Sequence, residues 1–465
     1  MKNKKLLAFL LTGALLAQAS LLGGCAAGGA SRGAQAESTT AGTAEEGTTA
    51  ADTAEGTVES TAEGTAEGSK ESGTTAGQEQ AAYTDGANGF ALRLTAQLLA
   101  QKQEGENLIA SPYSVWLPLA ALAGASDEQA QQELLQVLGE AGIDAETLGQ
   151  VVQTLNSALT QEERKAAMEE AGETFDSPLK IANALFVSKD STVNPDFADR
   201  FAGQFAGKLF PVDFSDDSAA DEVNAWAEEQ TEGKITELID SFDPDTVAAI
   251  ANALYFSDSW AEQFVEENTA DAVFHGAKGD KTVPFMNQKL DSAVYYEDGQ
   301  LQAVVLNTAN GGQMTLVLPG EGQTAEQALE SLDAETLQKI QSSEGRTVQL
   351  SLPKFHLESG VFSVKEALES LGVPLTDAQN PHLTGLVENE SLYLSQAVQK
   401  AMVEADEKGL TAAAVTVMAI SRMSLAPETE PVELTFDKPF AFVLSADGGE
   451  AGQQVLFTGV VNQID

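Results

Sequence analysis

Apolar positions along the first part of the chain recur with the period of a helix. In FALRLTAQLLAQ (90–101), Phe90, Leu94 and Leu98 stand four residues apart, which predicts an amphipathic helix with one buried face. The segment PYSVWLPLAALAGAS (112–126) is apolar on nearly every side. A helix of that kind is expected to be buried all round.

Short apolar runs without helical spacing follow, and they dominate the second half. IANALFVS (181–188) and AIANALYFSDSW (249–260) are rich in β-branched and aromatic residues, which favours strands or helix-to-strand passages. Helices early and strands late predict an α+β fold. The later runs predicted to be strands are MTLVLPG, VQLSLPKFHL, LYLSQAVQKAMVEA, PVELTFDKPFAFVLS and QQVLFTGVVN.

The first 25 residues have the pattern of an export signal. MKNKK is basic, LLAFLLTGALLA is apolar but too short to cross a bilayer as a mature helix, and LGGC ends at Cys25. The run LGGC resembles a bacterial lipobox. This resemblance implies that residues 1–24 are a lipoprotein signal peptide and that lipidated Cys25 anchors the chain to the membrane, at the bacterial cell surface or envelope. The alternative is a plain secretory signal with an incidental cysteine.

Residues 26–80 contain only small and acidic side chains with few exceptions, and no aromatic residue. Such a composition cannot bury enough apolar surface to offset the entropy of ordering the backbone. We therefore expect residues 25–81 to be the lipidated cysteine followed by a flexible acidic linker, with a mean reach of roughly 40 Å. The composition changes from Tyr83 onward, where apolar and aromatic residues become frequent, and this predicts one folded domain over 82–465.

Charge and reactive residues exclude several classes of function. The chain has 71 acidic against 25 basic residues and a formal charge of −46, so neither nucleic acid nor heparin is an expected partner. The only cysteine lies outside the predicted domain, which leaves that domain no thiolate nucleophile. The histidines, His275, His356 and His382, are far apart and lack the spacing of metal ligands. An enzyme, a metal site and a cofactor are therefore not expected.

Six segments spread along the predicted domain form a recognisable set. They are NLIASPYSVWLPLAALAGAS, VNAWAEEQTEGKITELI, ANALYFSDSW with Phe264, Thr269 and the pair Phe274-His275, LPKFHLESGVFSVKEALESLGV, FDKPFAFVL and LFTGVVN. In order and spacing, the chain from about Phe90 to the end resembles the serpins, the serine protease inhibitor superfamily, and this resemblance covers about four fifths of the chain. It implies a single α+β domain with helices around a large central mixed sheet, smaller sheets, and an exposed reactive loop over about 407–431.

DEKGLTAAAVT (406–416) is similar to the hinge of inhibitory serpins, where the loop begins. Small side chains suit a segment that must slide between two paired strands, and the two-residue period of a strand turns alternate residues inward. Leu410 departs from the family, which usually has Thr or Ser there, and a larger side chain could slow entry so that the protein is cleaved as a substrate. The implied hinge residues are Glu407, Lys408, Gly409, Leu410, Thr411, Ala412, Ala413 and Ala414.

Counting from the hinge assigns the bond that a protease would cut. In the family that residue usually lies 14 positions after the hinge glycine, which here implies cleavage between Met423 and Ser424. An elastase-, chymotrypsin- or subtilisin-like protease would accept Met423 in an apolar pocket. Cleavage one residue earlier, between Arg422 and Met423, stays open and would suit a trypsin-like protease.

Other residues match positions that control loop insertion in serpins. Because the family usually has His where this chain has Gln399, a pH-sensitive gate is not expected. Satisfied polar packing is the alternative interpretation of this set. The implied gate residues are Ser111, Ser114, Asn252, Gln399 and Trp260.

The resemblance thus implies a monomeric suicide inhibitor that traps a serine protease as an acyl-enzyme by inserting its cleaved loop as a strand. Two alternatives remain. A non-inhibitory serpin would use the same fold as a surface binding protein, although its hinge would be expected to carry bulky or charged residues. A slow-inserting member would be consumed as a protease substrate.

Overall fold

The computed structural model describes residues 76–464 except 217, 244 and 411–429, with side chains from residue 86 onward. The predicted signal peptide, Cys25 and most of the predicted linker lie outside the described residues. The helices are α1 (Ala76–Gln101), α2 (Pro112–Ala123), α3 (Glu128–Val137), α4 (Ala145–Leu159), α5 (Glu162–Glu170), α6 (Pro195–Gln204), α7 (Ser218–Gln230), α8 (Ala325–Glu330), α9 (Ala334–Gln341) and α10 (Lys365–Ser370).

The strands are concentrated towards the C-terminus of the described chain, where fifteen of the eighteen follow residue 245. In chain order they are β1 (Leu108–Ala110), β2 (Leu179–Ser188), β3 (Gly207–Val212), β4 (Ala248–Phe256), β5 (Asp258–Ser259), β6 (Ala270–Gly276), β7 (Gly279–Glu297), β8 (Leu301–Asn307), β9 (Gly312–Pro319), β10 (Gly345–Pro353), β11 (Phe355–Glu358), β12 (Phe362–Ser363), β13 (Val398–Gln399), β14 (Met402–Ala405), β15 (Gly409–Leu410), β16 (Val432–Thr435), β17 (Phe440–Asp447) and β18 (Gln453–Val461).

The two predicted helices are present and form the helical part of the core. In α1, Phe90, Leu94 and Leu98 are buried, as their four-residue spacing predicts. Helix α2 begins at Pro112, whose fixed backbone angle suits the first turn of a helix. Most of its side chains are buried, including Trp116, which is completely inaccessible to solvent. The apolar pattern therefore determined both the existence and the burial of these helices.

The largest sheet has nine strands in the order β1-β18-β17-β9-β8-β7-β10-β16, with β6 paired to β7. Its pairs are antiparallel except β10 and β16, which run parallel. Strands β17 and β18 are buried almost throughout because helices cover them. The mixed sheet and its helices confirm the predicted α+β class.

Three smaller sheets complete the described part of the chain: β3-β2-β4, β11-β14-β15-β5, and β12-β13. The predicted strand VQLSLPKFHL is divided at Lys354 into β10 and β11, which belong to different sheets. The prediction that 392–405 is strand is confirmed only in its second half, where β13 and β14 lie, because residues 391–397 form no strand. The reason is a missing neighbour, since residues 391–402 face an open cavity.

Within the described ranges, none of the helices is both long and apolar enough to cross a membrane. The same residues contain no group of three or more His, Cys, Asp or Glu side chains placed to hold a metal ion.

Candidate functional site

A gap separates two sheets at the centre of the site. Strand β4 pairs through one edge with β2, and among the described strands none pairs with its other edge. A cavity of 540 Å³ lies along that free edge, between β4 and residues 391–402, and side chains of α2 including Val115 and Leu119 line it. The backbone groups on the free edge of β4 are therefore available to a further strand.

A polar cluster joins α2 to the far side of this gap. The side-chain amide of Gln399 donates to the carbonyl oxygen of Ser111 at 2.7 Å, and its oxygen accepts from the Ser111 N–H at 2.9 Å. The Ser111 and Ser114 hydroxyls lie 2.9 Å apart, and Ser111 Oγ also donates to the Leu456 carbonyl at 3.0 Å. Both hydrogen-bonding groups of the Gln399 amide are thus used to hold residues 398–399 beside the start of α2.

Asn252 lies across the gap from this cluster. Its Nδ2 donates to Asn183 Oδ1 at 2.9 Å, and Asn183 in turn donates to the Phe205 carbonyl at 2.8 Å. Asn252 Oδ1 is buried and has no hydrogen-bond partner. The structure therefore brings Ser111, Ser114 and Gln399 together but leaves Asn252 on the opposite edge with an unused acceptor.

Two residues of the predicted hinge, Gly409 and Leu410, form strand β15. Strand β15 lies between β14 and β5, with Leu410 paired to Ala405 on one side and to Asp258 on the other. Leu410 is 1% exposed, so the larger side chain that replaces the usual Thr or Ser is accommodated in the core. The predicted loop is therefore not exposed at residues 409–410, because β5 pairs with both of them and β14 also pairs with Leu410.

A tight turn precedes this strand and is organised by Asp406. Its Oδ1 accepts from the N–H groups of Lys408 at 2.8 Å and Gly409 at 3.1 Å. At Gly409 an added Cβ would lie 2.2 Å from the carbonyl oxygen of Asp258 and 2.6 Å from the Cα of Ser259. Glycine is needed there because the backbones of β15 and β5 approach too closely for a side chain.

Trp260, the residue directly after β5, holds the same turn. Its ring nitrogen donates to the Asp406 carbonyl at 2.8 Å, and its backbone N–H donates to the Lys408 carbonyl at 2.9 Å. The Trp260 side chain is buried and packs edge-to-face against Phe264. The structure thus places Trp260 where the chain enters the sheet.

Glu407 is fixed by two polar partners. Its carboxylate lies 2.8 Å from Lys354 Nζ and accepts a hydrogen bond from Thr269 Oγ1 at 2.8 Å. Burial acts to raise the pKa of Glu407, but the hydrogen bonds from Lys354, its own backbone and Thr269 outweigh it and hold the pKa below the ordinary 4.5. The hydrogen bond to Glu407 raises the pKa of Lys354 above 10.5 against the opposing effect of burial.

These shifts predict how the hinge responds to pH. The lowered pKa of Glu407 contributes stability that is present above about pH 4.5 and is lost as the pH falls through the pKa of the folded state. The raised pKa of Lys354 contributes stability that is present below about pH 10.5 and is lost as the pH rises through its pKa in the folded state. Glu407→Gln should therefore lower the free energy of unfolding by about 1 kcal/mol between these limits. This value is kept small because Lys354 is partly exposed and solvent screens its interaction with Glu407. Chemical denaturation of both proteins from pH 3 to 9 checks this. A difference that persists undiminished at pH 3 would contradict it.

The remaining predicted site residues lie outside the described part of the chain. They are Cys25, Thr411, Ala412, Ala413, Ala414, Arg422, Met423 and Ser424.

Sequence reasoning did not identify three participants in the site: Lys354, Asp406 and Asn183. Lys354 stands in a motif that resembles the family, but nothing local indicates its partner, because Glu407 is far along the chain. An aspartate three residues before a glycine is a turn signal that could have identified Asp406. Asn183 has no comparable signal, since it interrupts an apolar run.

Comparisons with known proteins place the chain among related sequences. The family model described as Serpin (serine protease inhibitor) matches residues 85–464. An antitrypsin from Bombyx mori is 31% identical over 386 residues, covering 81% of this chain and 93% of that protein. Alaserpin from Manduca sexta is 34% identical over 374 residues, covering 77% of this chain and 90% of that protein.

Solved structures have a similar fold. The native thermophilic serpin tengpin matches with a TM-score of 0.69 at 23% identity, over 82% of this chain and 94% of that one. Human thyroxine-binding globulin, solved in complex with thyroxine, matches with a TM-score of 0.70 at 24% identity, over 83% of this chain and 99% of that one. At these identities the likeness concerns the fold alone.

Proposed function

Because the chain belongs to the serpin family, we propose that it inhibits serine proteases, and that it does so once per molecule by trapping the protease as an acyl-enzyme. The relative named antitrypsin supports a serine protease as the partner. The single observation that carries the proposed mechanism is the position of β15. It occupies a place between β14 and β5 that continues, along the sheet, into the open gap beside β4.

The proposed mechanism uses strand addition. The protease serine Oγ attacks the carbonyl carbon of Met423, the bond to the Ser424 nitrogen breaks, and that nitrogen leaves as a free amine while an ester joins the two proteins. The freed segment after Leu410 then enters the gap as a strand, a recognised form of strand addition in serpins. The thirteen residues from Thr411 to Met423, at about 3.3 Å each, move the ester by roughly 43 Å.

That displacement stops the protease before water releases it. An oxyanion hole works only when its donors lie within hydrogen-bonding distance of the reacting oxygen, so dragging the ester away from its surroundings disables deacylation. The inhibitor contributes no catalytic group. It contributes a folded state kept from its most stable form by a kinetic barrier, and the energy released by insertion drives the displacement.

The experiment that tests this function is incubation of the predicted domain, residues 82–465, with elastase-, chymotrypsin-, subtilisin- and trypsin-like proteases. A covalent complex that survives SDS denaturation should form with at least one protease that has an apolar primary pocket. Cleavage by every protease without a covalent species would identify a substrate, and no cleavage would favour a binding protein of serpin fold. Either result would refute the proposal.

Replacing Met423 with arginine should transfer inhibition to trypsin-like proteases. An arginine at the cleaved position pairs with the carboxylate in the pocket of such enzymes, whereas methionine fills an apolar pocket. We expect the rate of trypsin inhibition to rise by at least about tenfold, equivalent to about 1.4 kcal/mol, and that of elastase to fall. Mass spectrometry of the released C-terminal peptide checks the bond. A peptide that begins at Met423 in the wild type would assign cleavage after Arg422.

We also propose that Cys25 carries a lipid that anchors the inhibitor outside the cytoplasm of a bacterial cell. Replacing Cys25 with serine should release the protein from the membrane fraction, because the thiol is the group that would be acylated. Inhibition by the variant should be unchanged, since the anchor lies outside the predicted domain. Fractionation followed by an inhibition assay measures both. Retention of the variant in the membrane fraction would contradict the proposed lipid anchor.

A further inference from the structure

Strand β5 is only two residues long, and one side chain outside it fixes its position. The backbone N–H of Asn310 donates to Asp258 Oδ2 at 2.8 Å, and Asn310 Nδ2 donates to Asp258 Oδ1 at 2.7 Å. Asp258 is 7% exposed, and its Oδ1 also accepts from the Ser259 N–H at 2.9 Å. A buried carboxylate held by three N–H groups in this way has one preferred position.

Asn310 is itself held from the opposite side. Its Oδ1 accepts from Arg164 Nη1 at 2.8 Å, and its carbonyl accepts from Gln161 Nε2 at 2.7 Å. The Arg164 guanidinium also lies over the Phe175 ring, 4.4 Å from the ring centre. The amide therefore stands between a buried carboxylate and a guanidinium. Because an amide nitrogen only donates and an amide oxygen only accepts, the nitrogen must face the Asp258 carboxylate and the oxygen the Arg164 guanidinium. This fixes the side chain in one orientation.

Strand β5, which Asn310 holds in place, is the main pairing partner of the hinge strand β15. Strand β15 pairs two residues with β5 but only one, Leu410, with β14. Ser259 of β5 is tied on its other side, where its carbonyl accepts from the Ala309 N–H at 2.8 Å. The first residues of an inserting loop must therefore form their hydrogen bonds against an edge that the 309–310 turn holds in place.

We propose that Asn310 is a positioning residue for loop insertion: through Asp258 it holds β5 in register with the hinge, and Arg164 and Gln161 hold Asn310 in turn. Among the described residues, Asn310 forms its hydrogen bonds with Asp258, Arg164 and Gln161 and none with residues 405–410. The inference rests on the proposed inhibitory function for its effect on inhibition, but its effect on the hinge can be measured in the uncleaved protein alone.

Two measurements test Asn310→Ala. In the uncleaved protein, amide hydrogen exchange should become faster in peptides covering 258–264 and 405–410, because β5 loses a donor to its carboxylate. With a protease that wild type traps, the ratio of cleaved inhibitor to covalent complex should rise about tenfold, an effect typical of one hydrogen bond to a charged group. The rate of acylation should not change.

Asn107→Ala is the matched control. The Asn107 side chain makes three hydrogen bonds, to the backbone of residues 462 and 463, and none to β5 or the hinge, whereas the Asn310 side chain makes two. It should lower thermal stability without changing the ratio of cleaved inhibitor to complex. Equal shifts in this ratio for both variants would reduce Asn310 to a general structural role and overturn the proposal.

Charge exchange provides a rescue. Asn310→Asp places two carboxylates against each other and should impair trapping more than alanine does. Adding Asp258→Asn restores a donor and an acceptor across the contact and should recover part of the loss. If Asn310→Ala does not fold, Arg164→Ala is the milder change, with a smaller shift in the same direction expected.

The outcomes separate the two ideas. Unchanged exchange near the hinge in every variant overturns the positioning role whatever the inhibition assay shows. If the wild-type protein traps no protease but amide exchange near the hinge is still faster in Asn310→Ala than in wild type, the positioning role stands and the proposed function is refuted instead.

Discussion

Replacing Ala412 with arginine should convert the inhibitor into a substrate while leaving the uncleaved protein almost unchanged. Leu410 is buried within β15, and the two-residue period of a strand places Ala412 on the same face once the strand continues into the gap. Insertion would then carry an arginine side chain against apolar residues of α2, including Val115 and Leu119.

The expected effect of that change is large. Overpacking a core costs typically about 1–3 kcal/mol, and burying an unpaired charge costs more. Insertion should slow while acylation does not, so hydrolysis of the acyl-enzyme prevails. We expect at least about tenfold more inhibitor consumed per trapped protease, equivalent to about 1.4 kcal/mol in the partition. The stoichiometry of inhibition measures this directly, and the thermal midpoint after loop cleavage shows whether the strand has entered.

Ala413→Arg is the control for this prediction. The same period turns residue 413 to the opposite face, so an arginine there should be tolerated far better. Equal loss of inhibition in the two variants would mean that the run of alanines is required for something other than alternate burial. A wild-type protein that gains no heat stability on cleavage would contradict the insertion mechanism itself.

Replacing Gly409 with valine should detach the hinge from the sheet. An added Cβ would meet the Asp258 carbonyl oxygen at 2.2 Å and the Ser259 Cα at 2.6 Å, and backbone atoms cannot move aside as a flexible side chain can. The pairing of β15 with β5 must break or shift. We expect a loss of about 1–3 kcal/mol in the free energy of unfolding and, in inhibition, turnover in place of trapping.

Lys408→Val separates this steric effect from that of the valine itself. Lys408 is exposed in the turn, and its backbone N–H and carbonyl, which form the hydrogen bonds to Asp406 and Trp260, remain in the variant. Chemical denaturation and the inhibition assay should find it close to wild type. If Gly409→Val were equally mild, the close approach of β15 and β5 would not determine the entry of the hinge.

The sequence by itself determined the local features that depend on which side of an element is buried. The four-residue spacing of apolar side chains from Phe90 predicted a helix, and the structure contains it as α1. Residues 112–126, which are apolar on nearly every side, predicted a second helix, which is α2. The short apolar runs predicted β2, β4, β17 and β18 for the same reason. The segments resembling the serpins indicated the fold class, because they are spread along the whole domain in order.

The tertiary structure alone decided which strands are neighbours. Residues 391–397 have the composition of a strand, but a strand requires a hydrogen-bonded partner, and across the cavity β4 does not provide one. The apolar run around Lys354 is continuous in sequence, yet the chain passes there from one sheet to another. Periodicity records the burial of a side chain and carries no information about which edge lies beside it.

The same limit applies to the polar contacts of the site. Gln399 and Ser111 are 288 residues apart, and Asn310 meets Asp258 and Arg164 across 52 and 146 residues. Hydrogen bonds and ion pairs at such separations depend on the path of the chain between them, so no local pattern predicts them. The sequence therefore indicated the segment that we propose to insert into the sheet, and only the fold decided which residues hold β5 beside β15.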